Sequence, residues 1–209
     1  MSSIKLKHSG GNAVSLNPPT SAPTSSNVAF KLPNADGSAN QVIKTDGSGN
    51  LAFTTPAASA FSSYALICDQ KSANTEGGSS SAGSWMTRDL NTELADPDNI
   101  VSISSNRFTL QAGSYLIKAS CPAHLGNSHT CQIYNYTDSS VEETGTGEYV
   151  YQGGSTTRSF VMGRVTIASA KEFTIRHRVS NSNSGNGLGV PNGWTTTEKY
   201  TMVEIYKEA

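Results

Sequence analysis

Cys121, His124, His129 and Cys131 are the residues of this chain best placed for chemistry, because two thiols and two imidazoles meeting at the base of one hairpin form a zinc-type donor set. Their Cys-x2-His-x4-His-x-Cys spacing matches no familiar zinc pattern, and Cys121 continues an inward-facing alternation. The plainer reading makes them strand residues and expects no metal. Nucleophilic catalysis finds no Gly-x-Ser-x-Gly, since Gly77-Gly78-Ser79-Ser80-Ser81 lacks the second glycine. Gly185-Asn186-Gly187-Leu188-Gly189 has neither a βαβ setting nor the closing Lys-Ser/Thr of a phosphate loop, and reads as a surface loop. Asp46-Gly47-Ser48-Gly49-Asn50 opens like a calcium loop but has Leu51 where glycine is needed, and reads as a hairpin turn. Adjacent Glu142 and Glu143 would face opposite ways on a strand, so they cannot share glycosidic chemistry and read as a solvated loop. The sequence therefore predicts no catalytic residue, no cofactor and no enzyme.

Binding is better served. The expected loops Lys71–Ser84, Thr137–Gly147 and Asn181–Glu198 exceed ordinary connection lengths. In the last of them, Trp194 could stack on a sugar ring while Asn192 and its polar neighbours bond the hydroxyls. The alternative is that Trp194 pins its loop to the head or to a neighbouring subunit. Asn135-Tyr136-Thr137 is a formal glycosylation sequon, but without a secretory signal it is not expected to meet the enzyme that would use it.

These residues need elements to hold them, and the composition points to strands. Of 209 residues, 35% are apolar and only 15% charged, so Ser, Thr, Asn and Gly supply the polarity, as in short strands and turns. A net charge of −1 with no basic cluster argues against nucleic-acid binding. No apolar run is long enough for a spanning helix, and Lys5 and Lys7 precede no apolar stretch, so a soluble protein made in the bacterial cytoplasm without a secretory signal or membrane insertion is expected. Cys68, Cys121 and Cys131 are expected to stay thiols.

Residues 1–58 are set apart by Pro18, Pro19, Pro23, Pro33 and Pro56 between short alternations. Ile4/Leu6, Val14/Leu16, Val28/Phe30/Leu32 and Leu51/Phe53 have the strand period but cannot enclose a core, so this extended arm needs other chains. Gly11-Asn12-Ala13-Val14-Ser15-Leu16-Asn17-Pro18 echoes Gly49-Asn50-Leu51-Ala52-Phe53-Thr54-Thr55-Pro56. Thr54–Ser63 reads as a hinge. In the head, residues 59–209, strands are expected at Tyr64–Gln70, Trp85–Leu90, Ile100–Ser104, Arg107–Leu110, Ser114–Cys121, Thr130–Tyr136, Glu148–Gln152, Arg158–Ile167, Glu172–Val179 and Lys199–Tyr206. Tyr115/Ile117/Ala119/Cys121 and Phe173/Ile175/His177/Val179 alternate as inward faces.

Trp85-Met86-Thr87-Arg88-Asp89-Leu90-Asn91-Thr92, Asp96 to Ile103, Arg107 to Ile117 with its Leu-x-x-Gly-x-Tyr turn, and Tyr200 to Tyr206 resemble the globular head of the tumour necrosis factor and complement-collagen superfamily. That resemblance implies an all-β jelly-roll sandwich packed as a homotrimer. Ile4-Lys5-Leu6-Lys7-His8 after Ser3, Phe30-Lys31-Leu32-Pro33 with Asp36-Gly37, and Gln41 to Leu51 resemble N-terminal segments of tail-fibre and appendage proteins of phages, particularly those of cyanobacteria. No collagen stalk or heptad run is present, which implies a short appendage.

The expectation is thus a phage virion protein: an N-terminal arm anchoring through Ile4, Leu6, Val14, Leu16, Val28, Phe30 and Leu32, and a trimeric head adsorbing to the host. Its partners would be further copies of itself, other virion proteins of tail or capsid, and a host surface glycan. The rival is a trimeric capsid decoration protein; a carbohydrate-binding module or cytokine-like ligand stands third.

Overall fold

A computed structural model describes residues 4–17, 19–23, 28–57, 59–151, 153–194 and 197–209, with Val14 and Ser15 given by backbone alone. Ser3, Pro18 and Gln152, used in the reading above, lie outside the described residues. The chain divides into two compact units, Met1–Ala58 and Ser59–Ala209.

The first unit consists of two hairpins. β1 (Ile4–Lys7) pairs with β2 (Ala13–Leu16), and β3 (Val42–Thr45) with β4 (Leu51–Thr54). The echoed segments have the same role in each: a Gly-Asn turn followed by the returning strand. Gly11 and Gly49 take φ of +94° and +87°, a region closed to most side chains, and Asp46 Oδ1 accepts from the N–H groups of Ser48 and Asn50, so its turn is self-capped. Val28, Phe30 and Leu32 form no strand; only Lys31 bridges to Asn50. Ile4, Leu6 and Leu16 are exposed, as a two-stranded hairpin has no second layer to bury them, and Val28, Phe30 and Leu32, outside any strand, are exposed as well.

The second unit is an all-β sandwich. Its strands are β5 (Phe61–Ser72), β6 (Met86–Thr87), β7 (Thr92–Ala95), β8 (Val101–Ser104), β9 (Arg107–Leu110), β10 (Gly113–His124), β11 (Asn127–Asn135), β12 (Ser140–Thr144), β13 (Glu148–Val150), β14 (Thr156–Ile167), β15 (Lys171–Val179) and β16 (Thr197–Glu208). One sheet runs β14-β10-β16-β5-β7, the other β12-β11-β15-β9-β8, with β13 on β11 and β6 on β15. From β9 to β11 and from β14 to β16 each successive strand changes sheet, which is the jelly-roll path. Among the described residues there is no helix, and hence none able to cross a membrane.

The alternating residues of the two sheets fill the space between them. Tyr115, Ile117, Ala119 and Cys121 of β10 face Ile133 of β11 and Phe173 and Ile175 of β15, with Val161, Val165, Val203 and Ile205 closing the layer. Phe108 and Phe173 stack at 5.7 Å on paired strands. Each such side chain contributes about 1.5–3 kcal/mol by leaving water. Gly113 starts β10 at φ +152°, and the Tyr115 hydroxyl reaches back to donate to the Gln111 carbonyl.

Several expectations need correction. The Thr137–Gly147 stretch is not a loop: it carries β12, so Glu142 and Glu143 sit exposed on a strand. The Trp85–Leu90 strand shrinks to Met86–Thr87, because Arg88 turns inward. β7 and β12 have no counterpart among the expected strands. Gly185–Gly189 is not a surface loop, since Gly187, Leu188 and Gly189 are buried.

Candidate functional site

The buried end of that glycine loop is organised by Arg88, which is fully buried. Its guanidinium donates to Thr201 Oγ1 at 2.7 Å, to the Pro122 carbonyl at 3.3 Å and to the Leu188 carbonyl at 2.7 Å. Burial lowers its basicity without removing the charge. A side chain at Gly187 or Gly189 would overlap Ser80 or the Tyr200 ring, so glycine is required at both. Gly77 N–H donates to the Gly189 carbonyl, and Ser80 and Asn183 exchange backbone bonds, clamping residues 77–80 of the first long connection to residues 183–189 of the second. Both long connections are therefore partly structural.

Beyond the clamp, the second connection ends in a displayed tip. Trp194 is 94% exposed, so within its own chain it pins nothing. Its backbone N–H donates to Asn192 Oδ1 at 2.8 Å. The Glu198 carboxylate accepts from the N–H groups of Asn192, Gly193 and Asn74; burial opposes its charge, yet these donors hold its pKa below the ordinary value. Asn192 and Trp194 thus share one turn braced by a carboxylate.

The four candidate metal ligands do not converge. The Cys121 thiol donates to Cys131 between the sheets, where burial pushes the Cys121 thiol well up, and Ser159 Oγ donates to Cys131 Sγ. His124 turns to the Ser155 carbonyl and Thr156. His129 Nδ1 lies 2.9 Å from His177 Nε2, and its Nε2 lies 2.8 Å from Thr157 Oγ1. Among the described residues no three His, Cys, Asp or Glu side chains meet in a metal-holding group. The His129–His177 pair escaped the sequence reading because only strand register, which places Cys131 opposite His177 and His129 opposite Val179, brings them together.

Two outward faces remain. On the first sheet, Phe160 and Met162 are 55% and 60% exposed, Tyr64 is 43% exposed, and Leu66, Leu116, Met202 and Tyr206 are half-buried. Strand register sets them in rows: Leu116 beside Tyr206 beside Tyr64, then Met162, Lys118, Glu204 and Leu66, then Phe160, Ser120 and Met202. The charges within the patch are paired, Lys118 with Glu204 at 3.8 Å and Arg164 with Glu208 at 2.6 Å. An apolar groove of about 650 Å³ follows β14 beneath Thr144–Thr146. The second sheet's outer face is polar, with Arg176, Arg178, Thr130 and Ser128.

No protein-family model and no curated protein sequence matches the chain. Among solved structures, similar ones include the globular domain of zebrafish complement 1qA protein, at 10% identity and TM-score 0.45, covering 69% of this chain and 95% of that one. Murine APRIL gives 8% identity and TM-score 0.46 over 69% of this chain and 98% of its own. Eiger TNF from S. frugiperda gives 11% identity and TM-score 0.47 over 72% of this chain and 94% of its own.

Proposed function

We propose that the chain is a structural protein of a phage particle, a short appendage whose N-terminal unit anchors a homotrimer and whose head adsorbs to the host surface. The observation that carries this reading is the first sheet's outer face, an apolar patch with neutralised charges on a head whose core is already complete. Contiguous exposed apolar surface of this kind marks an interaction site, and mutual burial between copies gives it a use. In the N-terminal unit, Ile4, Leu6, Leu16, Val28, Phe30 and Leu32 remain in water, and the free edges of the hairpins invite strand addition by another virion protein. Val14 belongs to the same anchoring set by sequence, its side chain lying outside the described residues.

The test adds full-length chain and a chain beginning at Ser59 to particles lacking the protein and measures co-sedimentation. The full chain is expected to bind and the truncated one to remain free. Equal binding by both would place the anchor in the head. Density over the capsid shell in a particle reconstruction, rather than on the tail, would replace adsorption with shell reinforcement.

A further inference from the structure

The second sheet's outer face has a groove of about 860 Å³ at the end where β13, β11 and β15 lie side by side. Strand register fixes which side chains point into it. Tyr149 stands opposite Ser128, and Thr130 opposite Arg178, so these four share the outward face. Tyr149 is 61% exposed and forms one wall. Gly147 also lines the groove and meets nothing within 4 Å where a side chain would stand.

Arg178 is exposed and, among the described residues, its side chain makes neither a hydrogen bond nor an ion pair, its backbone being paired with Thr130 in the ladder. Its neighbour on the same face, Arg176, is occupied otherwise, its guanidinium lying 3.7 Å from the centre of the Tyr134 ring. The other charged groups lining the groove are Glu148 and His129. They are register partners, and the His129 side of that pair is buried, so Glu148 faces the sandwich edge with it rather than the outward face of Arg178. A guanidinium fork is thus set across a groove from an exposed aromatic ring, over a floor that carries the Ser128 hydroxyl and the Thr130 Oγ1, which donates to the Gly145 carbonyl at 3.2 Å and keeps its lone pairs for a donor.

We infer that this groove binds an acidic saccharide, with Arg178 forking a carboxylate, Tyr149 stacking on the pyranose ring, Ser128 bonding a sugar hydroxyl and Thr130 Oγ1 accepting from another. Each part matches one feature of such a ligand: charge-assisted bidentate bonding for the acid, a flat π-face for the axial C–H groups, and short side-chain oxygens for the sugar hydroxyls. The groove's size is that of a small-molecule site. A nucleic acid fits poorly, since a single free arginine cannot track a phosphate backbone on a chain of net charge −1. The inference rests on the reading that the head meets the host surface, and supplies the receptor chemistry for it.

The test is calorimetric titration of the full-length protein with trigalacturonate, with neutral maltotriose and with inorganic phosphate. Trigalacturonate should bind, maltotriose should not, and phosphate should compete only weakly. Arg178→Gln and Tyr149→Ala, both exposed positions, should each weaken trigalacturonate binding at least tenfold with unchanged circular dichroism, while Lys44→Gln leaves it intact. Absence of trigalacturonate binding at millimolar concentration, equal binding of maltotriose, or full affinity in Arg178→Gln would each overturn the proposal. Particle co-sedimentation of the full chain is independent of the groove, so its loss would instead count against the virion reading.

Discussion

Acid should loosen the head well above the pH at which its carboxylates titrate, and His177 is the reason. Its imidazole is fully buried, with Arg88 and His129 near it, and burial first, then those two neighbours, push its pKa down from 6.5 to about 2. His129 moves in the same direction, chiefly through burial, with Glu148 opposing. A base with a depressed folded pKa holds fewer protons in the folded than in the unfolded state once the pH falls below 6.5. Its stabilising effect is whole above 6.5 and is lost progressively below it, by about 1.4 kcal/mol per pH unit for one group. Between pH 6.5 and 4.5 His177 alone removes about 2.3 kcal/mol, against the roughly 5–15 kcal/mol that holds a typical domain. Asp138, Glu198 and Glu208, with lowered pKa values, lose their contributions only below the ordinary carboxylate range, and Asp69, raised by burial, opposes the trend. The assay is urea unfolding at pH 7.0, 6.0 and 5.0 at one fixed protein concentration, for the wild type and for His177→Gln, whose amide can donate to or accept from His129. The wild type should lose stability increasingly, and the variant should lose less by about 0.7 kcal/mol from pH 7.0 to 6.0 and by about 1.2 kcal/mol from pH 6.0 to 5.0. Equal slopes, or a wild type flat from pH 6.5 to 5, would refute the reasoning.

Other perturbations have separate signatures. Arg88→Ala should cost about 2–4 kcal/mol by urea unfolding, since the Pro122 and Leu188 carbonyls lose their donor, and should make the 185–189 segment protease-sensitive. Gly189→Ala should destabilise by about 2 kcal/mol or more in the same assay, because its φ of +145° and the Tyr200 ring leave no room for a methyl group. Trp194→Ala should change unfolding free energy by no more than about 0.5 kcal/mol, as the ring is almost wholly solvated.

The sandwich was legible where alternation was long. Tyr115 to Cys121 and Phe173 to Val179 each present four inward residues at period two, and β10 and β15 follow those runs with longer ends. β7 and β12 were not legible because each has a single large apolar residue, Leu94 and Val141, so no period appears; register with a longer neighbour makes them strands. Arg88 was out of reach for a different reason. An arginine reads as surface by type, and its burial depends on carbonyls from Pro122 and Leu188 that only the fold delivers. Trp194 could be singled out as a large aromatic in a polar loop, whereas the groove at Arg178 required pairing Tyr149 with Ser128 across strands. The outward Arg176/Arg178 alternation was the one sequence signal for it.

Self-association through the first sheet is tested most directly by molar mass in solution. Light scattering on the full chain at micromolar concentration should return three times the 22.0 kDa chain mass, and Phe160→Glu, which places an unpaired charge on the β14 side of the patch, should return a folded species of one chain mass. A wild type at 22.0 kDa, or a Phe160→Glu protein that still forms the trimer, would contradict the proposed assembly.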